Sequence, residues 1–171
     1  MGHFISDYLD YAAPSTDAPR VYHEFAAFST LSALIGRNVW SQHGHYRIYP
    51  NLWVVLLGSS TTARKSTSLR ISQDIVRAVD HRRILPDDFS VEAFMEVLGH
   101  QPEAILYFDE FLSLSSKFGR DYMAGLKSLL TELYECKDHV KRTLRRKGKA
   151  LDSTPGSGTS GKVEDCIINN S

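Results

Sequence analysis

The sequence predicts an α/β fold, a mostly parallel sheet flanked by helices and cut short on its C-terminal side. Three observations carry this expectation. The apolar run from Leu52 to Leu57 ends at Gly58, and a loop of small residues then leads into a segment with helical periodicity. A continuous apolar run of that length fits a strand covered on both faces. A second apolar run, Ala104 to Phe108, ends in the carboxylates Asp109 and Glu110. Between and around these runs, apolar residues recur at steps of three and four, and strands alternating with helices argue for a parallel sheet.

The elements follow in chain order. Residues 1–19 read as an N-terminal extension, a short helix and loop closed off by Pro14 and Pro19, and residues 20–171 as the core. From Arg20 to Gly36 the positions Val21, Phe25, Phe28, Ser32 and Ile35 share one helical face, and Gly36 can end the helix. Val39 to Ser41 and Tyr46 to Tyr49 read as a hairpin around His43-Gly44-His45. Two histidines without a third ligand nearby decorate a turn more readily than they hold a metal. The next helix spans Lys65 to His81, with Ile71, Ile75 and Val79 on one face. Arg83 to Pro86 suggests a short strand, and Ser90 caps a helix that Gly99 ends. After the second buried strand, Tyr122, Leu126, Leu129, Leu130 and Leu133 give a last amphipathic helix that fades into a basic stretch. Residues 150–162, rich in Ser, Thr, Gly and Pro, read as a flexible loop. Val163 to Ile168 then begins another strand.

Bulk properties narrow the function classes. The chain has 171 residues, 42% of them hydrophobic and 23% charged, which suits one globular domain with a real core. Net charge is zero, so the molecule as a whole is not drawn to nucleic acid or to an anionic membrane. No apolar run approaches the ~18–20 residues of a membrane span. Only two cysteines, Cys136 and Cys166, are present, too few for a four-cysteine metal site and no disulfide scaffold, so a cytoplasmic setting is expected.

The turn after Leu57 carries the chemistry. Strand, loop of free N–H groups and helix N-terminus together form a phosphate site, because the loop amides and the helix dipole favour an anion. Gly58, Ser59, Ser60, Thr61, Thr62, Ala63, Arg64, Lys65, Ser66 and Thr67 make the candidate nucleotide-binding loop. Lys65 would reach the outer phosphates of a nucleoside triphosphate and Ser66 would hold Mg²⁺, with Thr67 in reserve if the register shifts by one. The match to G-x-x-x-x-G-K-[ST] departs at Arg64, which stands where the second glycine belongs, and at Ser59, since Gly58 lies one residue early. The alternative is a polar turn with a surface lysine.

Gly156 to Lys162 fits the first seven positions better, yet no apolar strand precedes it and Val163 offers no hydroxyl. It is a decoy. In an open α/β sheet ligands sit beyond the carboxyl ends of the strands, so Asp109 can share Mg²⁺ with Ser66 while Glu110 activates the attacking water. The alternative is a strand capped by two solvated acids. In the basic stretch, Arg142, Arg145 and Arg146 are candidate phosphate contacts to single- or double-stranded DNA, or a finger reaching a neighbour in a homo-oligomer. The alternative there is a solvated helix end.

The segments YPNLWVVLLGSSTTARKST, ILPDDFSVEAFMEVL, AILYFDEF and LKSLLTELYECKDHVKR, in this order, resemble a domain-of-unknown-function family of P-loop ATPases. Its members occur in phage, plasmid and bacterial proteins beside primase or helicase modules. The resemblance covers roughly Tyr22 to Arg146. It implies a RecA-like or AAA-like core that binds and hydrolyses Mg-ATP, with Lys65 and Glu110 catalytic, Ser66 and Asp109 at the metal, and the strand from Val163 to Ile168 between the two buried runs. It also implies a setting in DNA replication or mobile-element biology. The family's sensor residue and downstream arginine finger are absent from the chain or unassignable in it.

Overall fold

A computed structural model describes residues 3–59, 63–108 and 125–136, together with the backbone of two further strands, His139–Arg145 and Val163–Asn169. Among the described residues the architecture is mixed helix with three small two-stranded sheets. Helix α1 (Phe4–Ala12) lies on α2 (Arg20–Ile35), and α2 lies on α3 (Lys65–Asp80). One apolar cluster joins the first two through Tyr8, Ala12, Ala26 and Ala27, with Ile71 and Ile75 of α3 against it. A second cluster gathers Leu85, Phe94, Met95, Leu98, Leu126 and Leu129 around α4 (Val91–His100) and α5 (Leu126–Tyr134).

The helix boundaries follow local chemistry. Ser90 caps α4 by accepting a hydrogen bond from the Ala93 amide at 3.2 Å, which satisfies one of the amides a helix start leaves open. Gly36 ends α2 with φ +58°, a conformation that glycine adopts without penalty. The Arg83 guanidinium closes the same helix end, donating to the Ala33 carbonyl at 2.6 Å, and pairs with Glu103 at 2.9 Å. That pair ties the end of α2 to the turn before β4.

The helices bury different faces from those that hydropathy marks. On α2 the buried residues are His23, Ala26, Ala27, Thr30 and Ala33, while Val21, Phe25 and Phe28 are 43% to 47% exposed. On α3 they are Ser68, Ser72 and Val76, with Val79 exposed. Small side chains let the two helices approach closely, and close approach here outweighs apolar volume. The hydroxyls that this buries are bonded: Thr30 Oγ1 donates to the Ala26 carbonyl or to Ser72 Oγ, which lies 2.7 Å away.

The sheets also differ from expectation. Strands β1 (Ser41–His43) and β2 (Tyr46–Ile48) form the anticipated antiparallel hairpin, with Gly44 at φ +59°. Strands β3 (Ile84–Leu85) and β4 (Ile105–Leu106) pair in parallel, and this is the only parallel pairing among the described residues. The run from Leu52 to Leu57 is not a ladder strand: no described strand pairs with it, and Leu52, Trp53, Val55 and Leu57 are 50% to 78% exposed. A strand forms only where a neighbour accepts its hydrogen bonds. Here a cleft of about 420 Å³, lined by Val54, Val55, Leu56, Ile105, Leu106 and Tyr107 among others, separates it from β4.

The basic stretch does not end a helix. Residues His139–Arg145 form β5, which pairs antiparallel with β6 (Val163–Asn169), Val140 opposite Ile168 and Arg145 opposite Val163. Consequently Val163 to Ile168 does not enter the sheet of β3 and β4. The seven-residue register with β5 takes up the hydrogen bonds that the central position would have required, and β6 lies beside α4. Residues 150–162 fall outside the described residues, as does the decoy loop within them.

His23 is fully buried, and neither ring nitrogen has a hydrogen-bond partner among the described residues. Burial holds its pKa below the usual value. The unfolded chain therefore takes up this proton first as the pH falls, so the stability is present above about 6.5, the unfolded value, and is lost on acidification through the folded value. The melting temperature is expected to drop between pH 7.5 and pH 5.5, and His23→Leu should shrink that drop. An identical drop in the variant would show that another group sets the acid limb.

Candidate phosphate-binding turn

The turn between Leu57 and α3 is built from its two ends. Leu57, Gly58 and Ser59 lead out of the extended run, and Ala63 and Arg64 lead into α3, whose first residue is Lys65. Ser60, Thr61 and Thr62 lie outside the described residues. The Ala63 amide reaches back to the Ser59 carbonyl at 3.4 Å, so the two described ends lie close together.

Arg64 has φ +48° and ψ +32°, a left-handed backbone. This is the position at which the nucleotide-loop pattern carries its second glycine. For a residue with a Cβ, the conformation costs about 1–2 kcal/mol. The Arg64 side chain is held from outside by Asp17, with Nε 3.1 Å from the carboxylate. Both partners are exposed, so the pair itself contributes little.

Gly58 meets a steric demand rather than a conformational one. A Cβ there would lie 2.5 Å from the Tyr22 hydroxyl and 2.7 Å from the Ala63 Cβ. The Tyr22 hydroxyl donates to the Leu57 carbonyl at 2.6 Å. Lys65 folds over the turn, and its ammonium donates to the carbonyls of Gly58 at 2.6 Å and Ser59 at 3.3 Å. Its charge thus sits at the mouth of the loop. An anion that takes the lysine must compete with two neutral carbonyls, which a charged acceptor does favourably, since charge-assisted hydrogen bonds are about twice as strong.

Ser66 opens onto a second hollow of about 250 Å³, bounded also by Arg70, Gln73, Pro86, Asp87 and Tyr107. Ser66, Arg70 and Gln73 follow the four-then-three spacing of one helix face. Asp87 and Tyr107 lie just past the carboxyl ends of β3 and β4. The hollow therefore lies at the end of the parallel pair where ligands bind in open α/β sheets. Arg70, Gln73 and Asp87 escaped the sequence reading, although their spacing from Ser66 and from the strand end was available.

Tyr107 is fixed from behind. Its hydroxyl lies 2.7 Å from Ser72 Oγ, and burial pushes its pKa up to about 12, so it stays a neutral phenol. Asp109 and Glu110, two and three residues on, are outside the described residues, as is Arg146; Arg142 and Arg145 fall on β5, described by its backbone alone. Thr67, the alternative hydroxyl, is exposed on the first turn of α3. His43 and His45 flank the hairpin turn, and no group of three metal-ligating side chains occurs among the described residues. Nor is any helix there long and apolar enough to cross a membrane.

The left-handed backbone at residue 64 has a direct test. Arg64→Gly should be about 1 kcal/mol more stable to urea than Arg64→Ala, since both lose the ion pair but only glycine relieves the Cβ clash. The opposite order, normal within helices, would place residue 64 outside the left-handed region.

Comparison with known proteins adds no relative. No protein-family model, no curated protein and no solved structure matches the chain.

Proposed function

We propose that this chain binds Mg-ATP at the turn between Leu57 and Thr67 and hydrolyses it, as the ATPase core of a helicase- or primase-type protein of DNA replication or mobile elements, acting in the cytoplasm. The observation that carries the reading is the left-handed backbone at Arg64, immediately before Lys65 and Ser66 at the start of a sixteen-residue helix. A surface turn with an incidental lysine does not require that conformation at the one position where the phosphate-loop pattern has glycine.

The residues present fit the nucleotide and its metal. The space around Gly58 admits no Cβ, Lys65 already bridges the loop's first carbonyls, and the Ser66 side of the helix faces a polar hollow. In this reading Lys65 moves from the loop carbonyls to the outer phosphates and neutralises charge there. Ser66 and Asp109 hold Mg²⁺, which when bound spreads the charge developing on the phosphate oxygens. Glu110 accepts a proton from the attacking water. DNA contacts fall to Arg142, Arg145 and Arg146, which neutralise backbone phosphates.

A second reading is a nucleotide-gated interaction module with little turnover. The closed position of Lys65 over its own loop favours it, because nucleotide binding must then rearrange the turn, which is what a switch needs.

Lys65→Ala should weaken Mg-ATP binding at least tenfold, about 1.4 kcal/mol, in a direct titration, whereas Lys162→Ala should leave it unchanged. Equal affinity in the parent and Lys65→Ala would remove the assignment. Glu110→Gln should keep binding and slow hydrolysis about 10²–10⁴-fold. Turnover stimulated by single-stranded DNA marks the motor; binding without turnover marks the switch.

A further inference from the structure

The two ends of the turn are held by the same short stretch of the N-terminal region. Tyr22, in the first turn of α2, donates its hydroxyl to the Leu57 carbonyl at 2.6 Å. Asp17, three residues before α2 begins, accepts from the Arg64 guanidinium at 3.1 Å. The partners lie 35 and 47 residues apart in sequence, so neither contact arises from local chain geometry. Between them the chain turns through the loop and starts α3.

The Tyr22 contact has a directional consequence. A trans peptide is planar, and its C=O and N–H point in opposite directions. Holding the Leu57 carbonyl toward α2 therefore turns the Gly58 amide N–H away from α2. The same hydroxyl lies 2.5 Å from where a Gly58 Cβ would stand. One phenol thus both orients the first amide of the loop and restricts residue 58 to glycine. Asp17 acts at the other end, on the residue whose left-handed backbone aims Lys65.

We propose that Tyr22 and Asp17 are positioning residues of the phosphate site, a clamp through which the segment from Asp17 to Tyr22 holds Leu57-Gly58 at one end of the nucleotide loop and Arg64 at the other. The inference rests on the Mg-ATP reading of that loop. Neither side chain touches the nucleotide: Tyr22 fixes a peptide plane and Asp17 fixes the residue before the lysine.

The test measures Mg-ATP affinity and thermal stability on the full chain for the parent, Tyr22→Phe, Asp17→Asn, Lys65→Ala and a destabilised control. The destabilised control is Leu9→Ala, because Leu9 is buried on α1 and has no part in the loop or the hollow beside it. Tyr22→Phe should weaken Mg-ATP binding about three- to tenfold, the range of one net hydrogen bond, with a melting temperature no lower than that of Leu9→Ala, which should bind as the parent does. Asp17→Asn should weaken binding by a smaller factor, and less at high salt, where the exposed pair is already screened. Gly58→Ala should cost less affinity in the Tyr22→Phe background than in the parent, because one of its two steric conflicts is gone. Parent binding that depends on Lys65 but is unaltered in Tyr22→Phe overturns the clamp and leaves the ATP reading standing. Binding that falls equally in Tyr22→Phe and Leu9→Ala also overturns it, since general destabilisation then accounts for the loss. No Lys65-dependent binding by the parent overturns both.

Discussion

Three hydroxyls form the seam on which the rest of the molecule is aligned. Thr30 on α2, Ser72 on α3 and Tyr107 just after β4 are buried and linked by two contacts of 2.7 Å. Each is a polar group withdrawn from water, and breaking the chain at one point would leave a buried oxygen unsatisfied, at a cost of about 1–3 kcal/mol. The seam requires small side chains on the facing helices, which explains why α2 buries Ala26, Ala27 and Ala33 and leaves Phe25 and Phe28 outside. It also sets the register between α3 and β4. Ser66 and Tyr107 come to border one hollow because Ser72, further along the same helix, is bonded to Tyr107.

A polar cluster does for the carboxyl end of α2 what the seam does for its middle. Arg83 closes the carboxyl end of α2 and pairs with Glu103, while Glu103 accepts from the Arg37 amide at 3.2 Å. These side chains are largely covered, so their geometry matters more than that of the exposed pairs on α3, such as Asp74 with Arg77. The cluster places β3 and β4 beside the end of α2. The seam places β4 against α3. Between them they fix the carboxyl ends of the parallel pair relative to the start of α3.

Local signals in the sequence located most helix boundaries. Gly36, Ser90 and the strand-loop-helix rhythm around Lys65 each act through the backbone of their own neighbourhood, and α2, α3 and α4 begin and end within a residue or two of where those signals stand. What hydropathy could not convey was which face a helix buries when small residues pack closely. Pairing was equally hidden. Leu52 to Leu57 has the composition of a central strand, yet pairing depends on a distant neighbour, and the described chain leaves a cleft there. In the basic stretch, charge drew attention away from Val140, Thr143 and Leu144, residues that suit a strand. Within the candidate site, Lys65 and Ser66 were legible as a motif. Tyr22 and Asp17 were not, since a contact across 35 or 47 residues leaves no trace in spacing.

The uncovered run beside the cleft has a consequence for handling and for crowded solution. Trp53, Val55 and Leu57 present apolar side chains to solvent along an extended backbone, and the facing side of β4 has no ladder partner among the described residues. Free backbone edges of this kind template the addition of strands from other chains. Association through such an edge would be second order in concentration, so dilution would oppose it. A charged residue at an outward position such as Leu57 is the type of gatekeeper that sequences use to keep such an edge from spreading.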